Sequence, residues 1–467
     1  MSREIRFYNT LTRRLERFTP IEEGHARVYT CGPTVYNVVH IGNLRTFLFE
    51  DVLRRTLKAA GWRVTQVMNL TDIDDKTIKG AAAEGLSLRE FTDRYVRIFF
   101  EDIDALRLER AEHYPRATDF IEQQVALVKR LSERGHTYTL DGSTYFRIAT
   151  FPEYGKLSGI RPDEVKVGAR VDADEYEKED ARDFVLWKAA KPGEPAWQTD
   201  LGLGRPGWHL ECSAMGMALL GESFDIHAGG VDNMFPHHEN EIAQSEGATG
   251  KRFVSTWLHA EHLVVEGQKM AKSLGNFYTL RDLVALGHDP LAIRYLLVSV
   301  PYRQKLNFTF DGLRAAAAAT QRITNTQRRL THTPPATGEG ALAAGEIDPF
   351  FAEFDAALAD DLNTARGLAA LHTLMTRVNQ ALDGGGLSAE AIARVNAALD
   401  RVDAVLGVAP PMARGSTDGE IDALIAERNA ARKARDFARA DAIRQELVER
   451  GVVLEDTPHG TVWHRAT

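Results

Sequence analysis

The apolar positions of this 467-residue chain change period along its length, and each change predicts an element. The run from Glu22 to Thr30 ends as an apolar strand, and a Gly-Pro turn parts it from a helix predicted over Leu44 to Ala60. Arg63 to Met68 reads as a second strand, so strand, helix and strand suggest a parallel crossover unit. Residues 84 to 135 turn helical, with Leu88, Phe91, Tyr95, Ile98 and Phe99 on one side. Short strands and turns follow from Tyr138 to Lys188, and an α/β pattern resumes at Gly207 and runs through Phe224 to Asp232. Within this stretch, Asp172 to Asp183 holds seven acids and no periodic apolar face, the composition of a solvated loop. Beyond residue 290 apolar residues recur three or four apart, as at Phe351, Phe354, Leu358 and Leu362 and again from Leu368 to Leu382, which is the spacing of packed helices. Linkers are expected at His332 to Gly345, Gly384 to Ser388 and Val408 to Gly419, ahead of a small module over Glu420 to Thr467. The implied fold class is α/β: a Rossmann-like, doubly wound parallel sheet carrying an insertion, then a helical bundle and a small mixed α/β module.

Composition narrows the class. With 44% apolar residues the chain can bury full cores in three or more compact units. The opening Met-Ser-Arg-Glu-Ile-Arg lacks the apolar core of a signal peptide and no later run approaches bilayer length, so a cytoplasmic protein without a membrane partner is the expectation. Two cysteines, Cys31 and Cys212, exclude a disulfide scaffold. A net charge of −9 argues against coating nucleic acid by charge alone and leaves room for a local patch. Arg428, Arg432, Arg435 and Arg439 recur at helical spacing beside Lys433 and Arg444, but Asp436, Asp441 and Glu446 alternate with them, so the favoured reading is an ordinary salt-bridged face.

Two short segments carry candidate phosphate chemistry. His40 and Gly42 stand at a helix mouth, where exposed N–H groups attract phosphate, and Lys269 and Lys272 lie three apart in a loop punctuated by Gly and Asn. Each alone is a weak signal; together, in this order and 229 residues apart, they frame both halves of a doubly wound nucleotide-binding sheet. The pairing resembles the HIGH and KMSKS signatures of class I aminoacyl-tRNA synthetases, with Asn43 in place of the second histidine and Ala271 in place of the first serine. Neither departure removes a charge. Thr71, Asp72, Asp74 and Asp75 follow a strand end, where they either face ligand or cap the next helix. In Phe235-Pro-His-His-Glu-Asn-Glu241, His237 precedes Glu241 by four and shares its helical face, a common way to present two metal ligands. Cys31 and Cys212 would complete a tetrahedral zinc set, but their separation of 181 residues leaves open the alternative of two buried free thiols and a helix-start salt-bridge cluster.

Cys31-Gly-Pro-Thr-Val-Tyr, Gly-Arg-Pro-Gly-Trp-His-Leu-Glu-Cys-Ser-Ala-Met and Phe-Pro-His-His-Glu-Asn-Glu-Ile-Ala together are similar to cysteinyl-tRNA synthetases, and the likeness covers nearly the whole chain. The resemblance implies one zinc ion held by Cys31, Cys212, His237 and Glu241, with His238 a neighbour. It implies that Thr71, Trp208, His227 and Asp232 line the amino-acid and adenylate pocket, and that His40, Gly42, Asn43, Lys269 and Lys272 serve ATP, which enters with Mg2+ as a substrate. It further implies a catalytic domain over 1–112 and 207–312, a connective insertion over 113–206, a helical bundle over 313–407, a linker over 408–419 and an anticodon-binding module over 420–467. The expected partners are L-cysteine, ATP and cysteine tRNA, and the expected state is a monomer. A related ligase passing cysteine to a small amine is the alternative within the class; a zinc-organised RNA-binding module with a vestigial nucleotide site is the alternative outside it.

Overall fold

The computed structural model describes residues 4–160, 183–410, 419–457 and 460–465, so most of the acidic run after Asp172 and most of the 408–419 linker lie outside the described residues. The chain divides into two compact units, Met1–Ala317 with Asp355–Gly367, and Ala318–Phe354 with Leu368–Thr467.

The first unit opens with a hairpin, β1 (Arg6–Asn9) and β2 (Arg14–Arg17), and continues through β3 (His25–Thr30), α1 (Ile41–Ala59) and β4 (Arg63–Met68). The crossover is parallel as the pattern implied, with Val28 opposite Gln66. Helix α1 starts three residues earlier than its apolar pattern suggests, because His40 serves as its N-cap. Helices α2 (Asp75–Glu84) and α3 (Leu88–Ala105) follow, then α4 (Ile121–Glu133) leads into strands β5 (Thr137–Leu140), β6 (Ser143–Phe146), β7 (Phe184–Ala189), β8 (Trp197–Thr199) and β9 (Gly202–Pro206). These five form an antiparallel sheet in the order β5-β6-β7-β9-β8. The main sheet resumes with α5 (Trp208–Leu220), β10 (Phe224–Gly230), α6 (Glu239–Thr249) and β11 (Val254–Ala260). Its order is β11-β10-β3-β4, all parallel, with Ile226 opposite both Val28 and Thr256.

Both faces of this sheet are covered, as a parallel sheet requires. On one face α1 sets Phe49, Leu53 and Leu57 against Val28, Ile226 and Leu258; on the other, α5 and α6 set Met215 and Ile242 against Tyr29, Phe224 and Trp257. Each such side chain contributes about 1.5–3 kcal/mol on full burial. Sheet strands therefore end in register on one side, and Cys31, Asn69, Val231 and Glu261 emerge at the same carboxyl edge, where open α/β sheets hold ligands.

Beyond β11, strands β12 (Leu263–Val265) and β13 (Gln268–Lys269) lead to the lysine loop, and α7 (Leu280–Ala285), α8 (Pro290–Val298) and β14 (Leu306–Phe308) close the region. Two buried arginines fix it to α1. Arg45 donates Nη1 to the carbonyls of Glu261 at 2.6 Å and His262 at 2.8 Å, and Arg294 pairs with Asp51 while donating to the Leu106 carbonyl at 2.8 Å. A buried guanidinium needs such partners, since leaving its charge uncompensated costs several kcal/mol.

The second unit is mainly helical and takes most of α9 (Phe310–His332), the first part of α10 (Asp348–Ala359), most of α11 (Thr364–Gly384) and all of α12 (Ala389–Leu406). Helices α13 (Gly419–Lys433) and α14 (Phe437–Glu449) pack with the hairpin β15 (Val452–Thr457) and β16 (Gly460–Arg465) around Ile421, Ile425, Ile443, Leu447 and Val452. The salt-bridged reading of the arginine face holds at Arg439, which pairs with Glu427 at 2.8 Å; Arg428 differs, being buried and donating to Thr461 at 3.2 Å. Among the described residues no helix is long and apolar enough to cross a membrane.

Candidate active site and metal centre

Cys31 directly follows β3, Cys212 sits in the second turn of α5, and His237 and Glu241 flank the start of α6. All four are buried, and their donor atoms lie within 4.8 Å of one another. The structure thus brings together every sequence-predicted ligand from three places in the chain. Glu241 Oε2 pairs with His227 Nε2 at 3.0 Å, whereas Glu241 Oε1, though 3.1 Å from His237 Nε2, makes no hydrogen bond. An orphaned, fully buried carboxylate oxygen is costly unless something else binds it. The protonation states point the same way. A hydrogen bond with Cys212, and then burial, push the Cys31 thiol well above its ordinary range; burial raises Cys212 and carries Glu241 up to about 8. Burial also drives His237 down to about 3, leaving the neutral imidazole that metals bind. Two thiols and a carboxyl whose anionic forms are disfavoured in this buried site, beside a neutral imidazole, fit a divalent cation.

A second set of donors, Cys31, His227, His238 and Glu241, is equally close. His238 Nε2 lies 3.2 Å from Cys31 Sγ, its Nδ1 lies 2.8 Å from His259 Nε2, and His259 Nδ1 lies 2.9 Å from Thr10 Oγ1. His238 thus lies at hydrogen-bond range of Cys31 and within the second donor set. His259 is absent from the sequence-derived site, and its only signal was an isolated polar residue near the end of the apolar strand Val254–Ala260. His227, expected to line the pocket, is fully buried behind Glu241, with its ring stacked on Trp257 at 4.7 Å.

The other pocket residues differ in exposure. Trp208 is 39% exposed and stacks on His237 at 4.5 Å, so its indole roofs the cluster. Thr71 is buried, donates to Glu211 Oε2 at 2.8 Å and accepts from Asn69 Nδ2 at 3.1 Å. Its proton is thus committed, which leaves its oxygen an acceptor for a donor such as an ammonium. Asn69 in turn accepts from the Gly32 amide at 2.9 Å, and a Cβ on Gly32 would stand 1.8 Å from the Asn69 carbonyl oxygen, so only glycine fits beside Cys31. Asp232 is exposed in the short turn after β10. Of the three acids after Thr71, Asp74 caps α2, Asp72 accepts from the Thr118 amide at 3.0 Å, and Asp75 pairs with Lys188 and Arg205.

The two phosphate-type segments also meet. The Ile41 amide donates to the Tyr278 carbonyl at 3.0 Å, His40 packs edge-on against Phe277 at 5.1 Å, and a Cβ on Gly42 would come within 3.3 Å of Met270 Cε and 2.9 Å of the His40 ring. His40 Nδ1 accepts from the amides of Gly42 at 3.1 Å and Asn43 at 3.2 Å, while Asn43 Oδ1 accepts from the His40 amide at 3.3 Å. The helix-mouth amides expected to face phosphate thus have an imidazole as their partner, and Asn43 completes the cap. Across the gap, Asn276 staples the lysine loop by accepting from the Ala271 amide at 2.8 Å and donating to the Lys269 carbonyl at 3.2 Å. Lys269 is exposed; Lys272 opens a single 3-10 turn, Lys272–Leu274, and its side chain lies outside the described residues.

With that geometry in view, known proteins decide the family. A family model described as "tRNA synthetases class I (C) catalytic domain" matches residues 17–318, a DALR domain matches 353–409, and a "Cysteinyl-tRNA ligase anticodon binding domain" matches 414–463. The cysteine–tRNA ligase of Solibacter usitatus is 53% identical over 463 residues, 99% of each chain. The chain belongs to the cysteine–tRNA ligase family. Ligases of the same designation from Leptospira interrogans serovar Lai, at 49% identity over 99% of each chain, and from Chlamydia pneumoniae, at 46% over 97% of each, extend the likeness. Among solved structures, the Mycobacterium tuberculosis methionyl-tRNA synthetase in complex with methionyl-adenylate superposes with a TM-score of 0.61, covering 82% of this chain and 92% of that one at 15% identity, which establishes a shared fold. Within this family fold, the metal-type cluster and the paired signature segments occupy one sheet edge.

Proposed function

We propose that this chain activates L-cysteine with ATP to cysteinyl-adenylate and transfers the cysteinyl group to the 3′ end of cysteine tRNA. The supporting observation is the convergence of a buried Cys31, Cys212, His237 and Glu241 cluster and two phosphate-type segments on one carboxyl sheet edge. Cys31, Cys212, His237 and Glu241 would hold one zinc ion, whose soft Lewis acidity favours a cysteine thiol over a serine hydroxyl. Trp208 closes the pocket over His237, and Thr71, with its proton held by Glu211, accepts from the substrate ammonium. Asp232, in the short turn after β10, would accept from the ammonium or a ribose hydroxyl of the adenylate.

In the first step the cysteine carboxylate oxygen attacks the α-phosphorus of ATP, a P–O bond forms, and magnesium pyrophosphate leaves. Little covalent chemistry falls to the protein; it aligns the reactants and neutralises developing phosphate charge. His40, Gly42 and Asn43 on one side and Lys269 and Lys272 on the other are the residues we assign to that task. The catalytic work is assigned to 1–112 and 207–312 and tRNA recognition to 420–467, in keeping with the match of an anticodon-binding family to 414–463. Charging of total tRNA with labelled cysteine, ATP and Mg2+, run beside serine, tests the reading. Cysteine-only charging is expected; cysteine-dependent pyrophosphate exchange with no charging of any tRNA would shift the acceptor to a small amine.

A further inference from the structure

One short segment of the insertion reaches the metal-type cluster from behind. Tyr154 Oη donates to Asn240 Oδ1 at 2.5 Å, and both side chains are buried. The Ser158 amide donates to Glu239 Oε2 at 2.8 Å, the Leu157 amide to Glu239 Oε1 at 3.4 Å, and Lys156 pairs with Glu246. All three acceptors lie on α6, and Glu239 and Asn240 fall between the donors His237 and Glu241. Apolar packing extends the grip. Tyr154 shares a buried cluster with Leu210 and Ala214, which stand on either side of Cys212 on α5, and with Ala243 on α6; Leu157 shares another with Cys31 and Cys212 themselves. The segment is itself a fixed turn: Gly155 has a φ of 96°, a Cβ there would collide with the Ile160 carbonyl oxygen, and the Gly159 amide donates to the Gly155 carbonyl at 2.7 Å.

We propose that Tyr154–Ser158 is a positioning clamp through which the insertion sets how firmly the cluster holds zinc and how strictly it prefers a thiol to a hydroxyl, an inference that rests on the function proposed above. Tyr154 is the residue on which the clamp turns. Its ring anchors in the cluster beside α5 while its hydroxyl holds the first turn of α6, so one side chain ties Cys212 to His237 and Glu241. Without that hydroxyl, Asn240 Oδ1 is buried and unpaired, a costly state that the turn of α6 relieves only by shifting. The turn that shifts carries both α6 donors, and metal affinity is sensitive to the outer contacts that orient donors. A loosened donor set also discriminates less, because a hydroxyl is rejected only where the geometry leaves it no alternative fit.

Tyr154→Phe removes the hydroxyl and leaves the ring in its cluster, so the full-length variant should fold with a Tm within about 3 °C of wild type. Zinc-loaded Y154F should release its metal to a chromogenic chelator about 10-fold faster than wild type, and the ratio of cysteine- to serine-dependent pyrophosphate exchange should fall about 10-fold. Asn240→Ala should act in the same direction, and Y154F/N240A should lose no more than N240A alone, because the two side chains form one contact. A wild-type release rate with an unchanged ratio in Y154F, or a double variant that loses the product of the two single effects, would overturn the clamp while leaving the function standing. A wild type that binds no zinc, or binds it and supports no cysteine-dependent exchange, would remove the function reading and this inference together.

Discussion

The cluster around Cys31 and the loop around Lys269 sit at one sheet edge, yet their positions are fixed by opposite means. The cluster's donors hang from β3, α5 and α6 and are buried at 8% exposure or less, so packing and buried hydrogen bonds from His227 and His238 hold them within 4.8 Å of one another. The loop is largely exposed, and among the described residues it is tethered at its ends, by the pairing of Lys269 with Val264 and the Ile41–Tyr278 hydrogen bond, and within by the Asn276 staple and the meeting of Gly42 with Met270. A rigid, water-excluded donor set suits a task of discrimination, in which a wrong side chain must find no alternative geometry. A lightly tethered pair of lysines suits a task of closing on phosphate as charge develops. On the function proposed above, selection and acceleration would fall to different mechanical classes within one site.

That division can be broken from either side. The largest effect is expected from Cys212→Ser: metal content measured by elemental analysis should fall from one per chain toward zero, and cysteine activation should fall with it, because removing one soft donor leaves the orphaned Glu241 oxygen and the remaining thiol without their cation. Next, Lys269→Ala should lower kcat for pyrophosphate exchange by roughly 10²–10³-fold, about 2.7–4 kcal/mol, with metal content and Tm unchanged. Asn276→Ala removes two hydrogen bonds from the loop and none from the cluster, so kcat/KM for ATP should fall about 10-fold while the cysteine KM stays put.

The smallest effect concerns the helix that follows the loop. Arg281, on α7, donates Nε to Asp102 at 3.1 Å, and burial carries the Asp102 carboxyl up to about 6 against that guanidinium's pull. Because the folded value lies above the unfolded value of about 3.9, the folded state binds the proton more tightly and stability falls as pH rises between those values. Asp102→Asn should therefore gain about 1–3 °C in Tm above pH 7, a gain that shrinks to nothing near pH 4 in scanning calorimetry.

The sequence made the cluster more legible than the loop's surroundings. The spacing of His237 and Glu241 on one helical face survives in the structure at 3.1 Å, and the parallel crossover from Val28 to Gln66 is what the apolar pattern implied. The supports were not legible, because they are made by residues distant in the chain. Thr10 meets His259 from 249 positions away, Arg45 reaches carbonyls 216 and 217 positions on, and His227 braces Glu241 from 14 positions before it. His40 shows a different limit: its place at a helix mouth was readable, but that its own ring would take the Gly42 and Asn43 amides depends on a side-chain rotamer that no periodicity encodes.

The division of labour is tested most directly by the ratio of cysteine- to serine-dependent pyrophosphate exchange, measured in wild type and in Lys269→Ala under identical ATP and Mg2+. A cluster that selects and a loop that accelerates predict a large fall in both rates and an unchanged ratio; a ratio that collapses in Lys269→Ala would show that the loop takes part in choosing the amino acid and contradict the account.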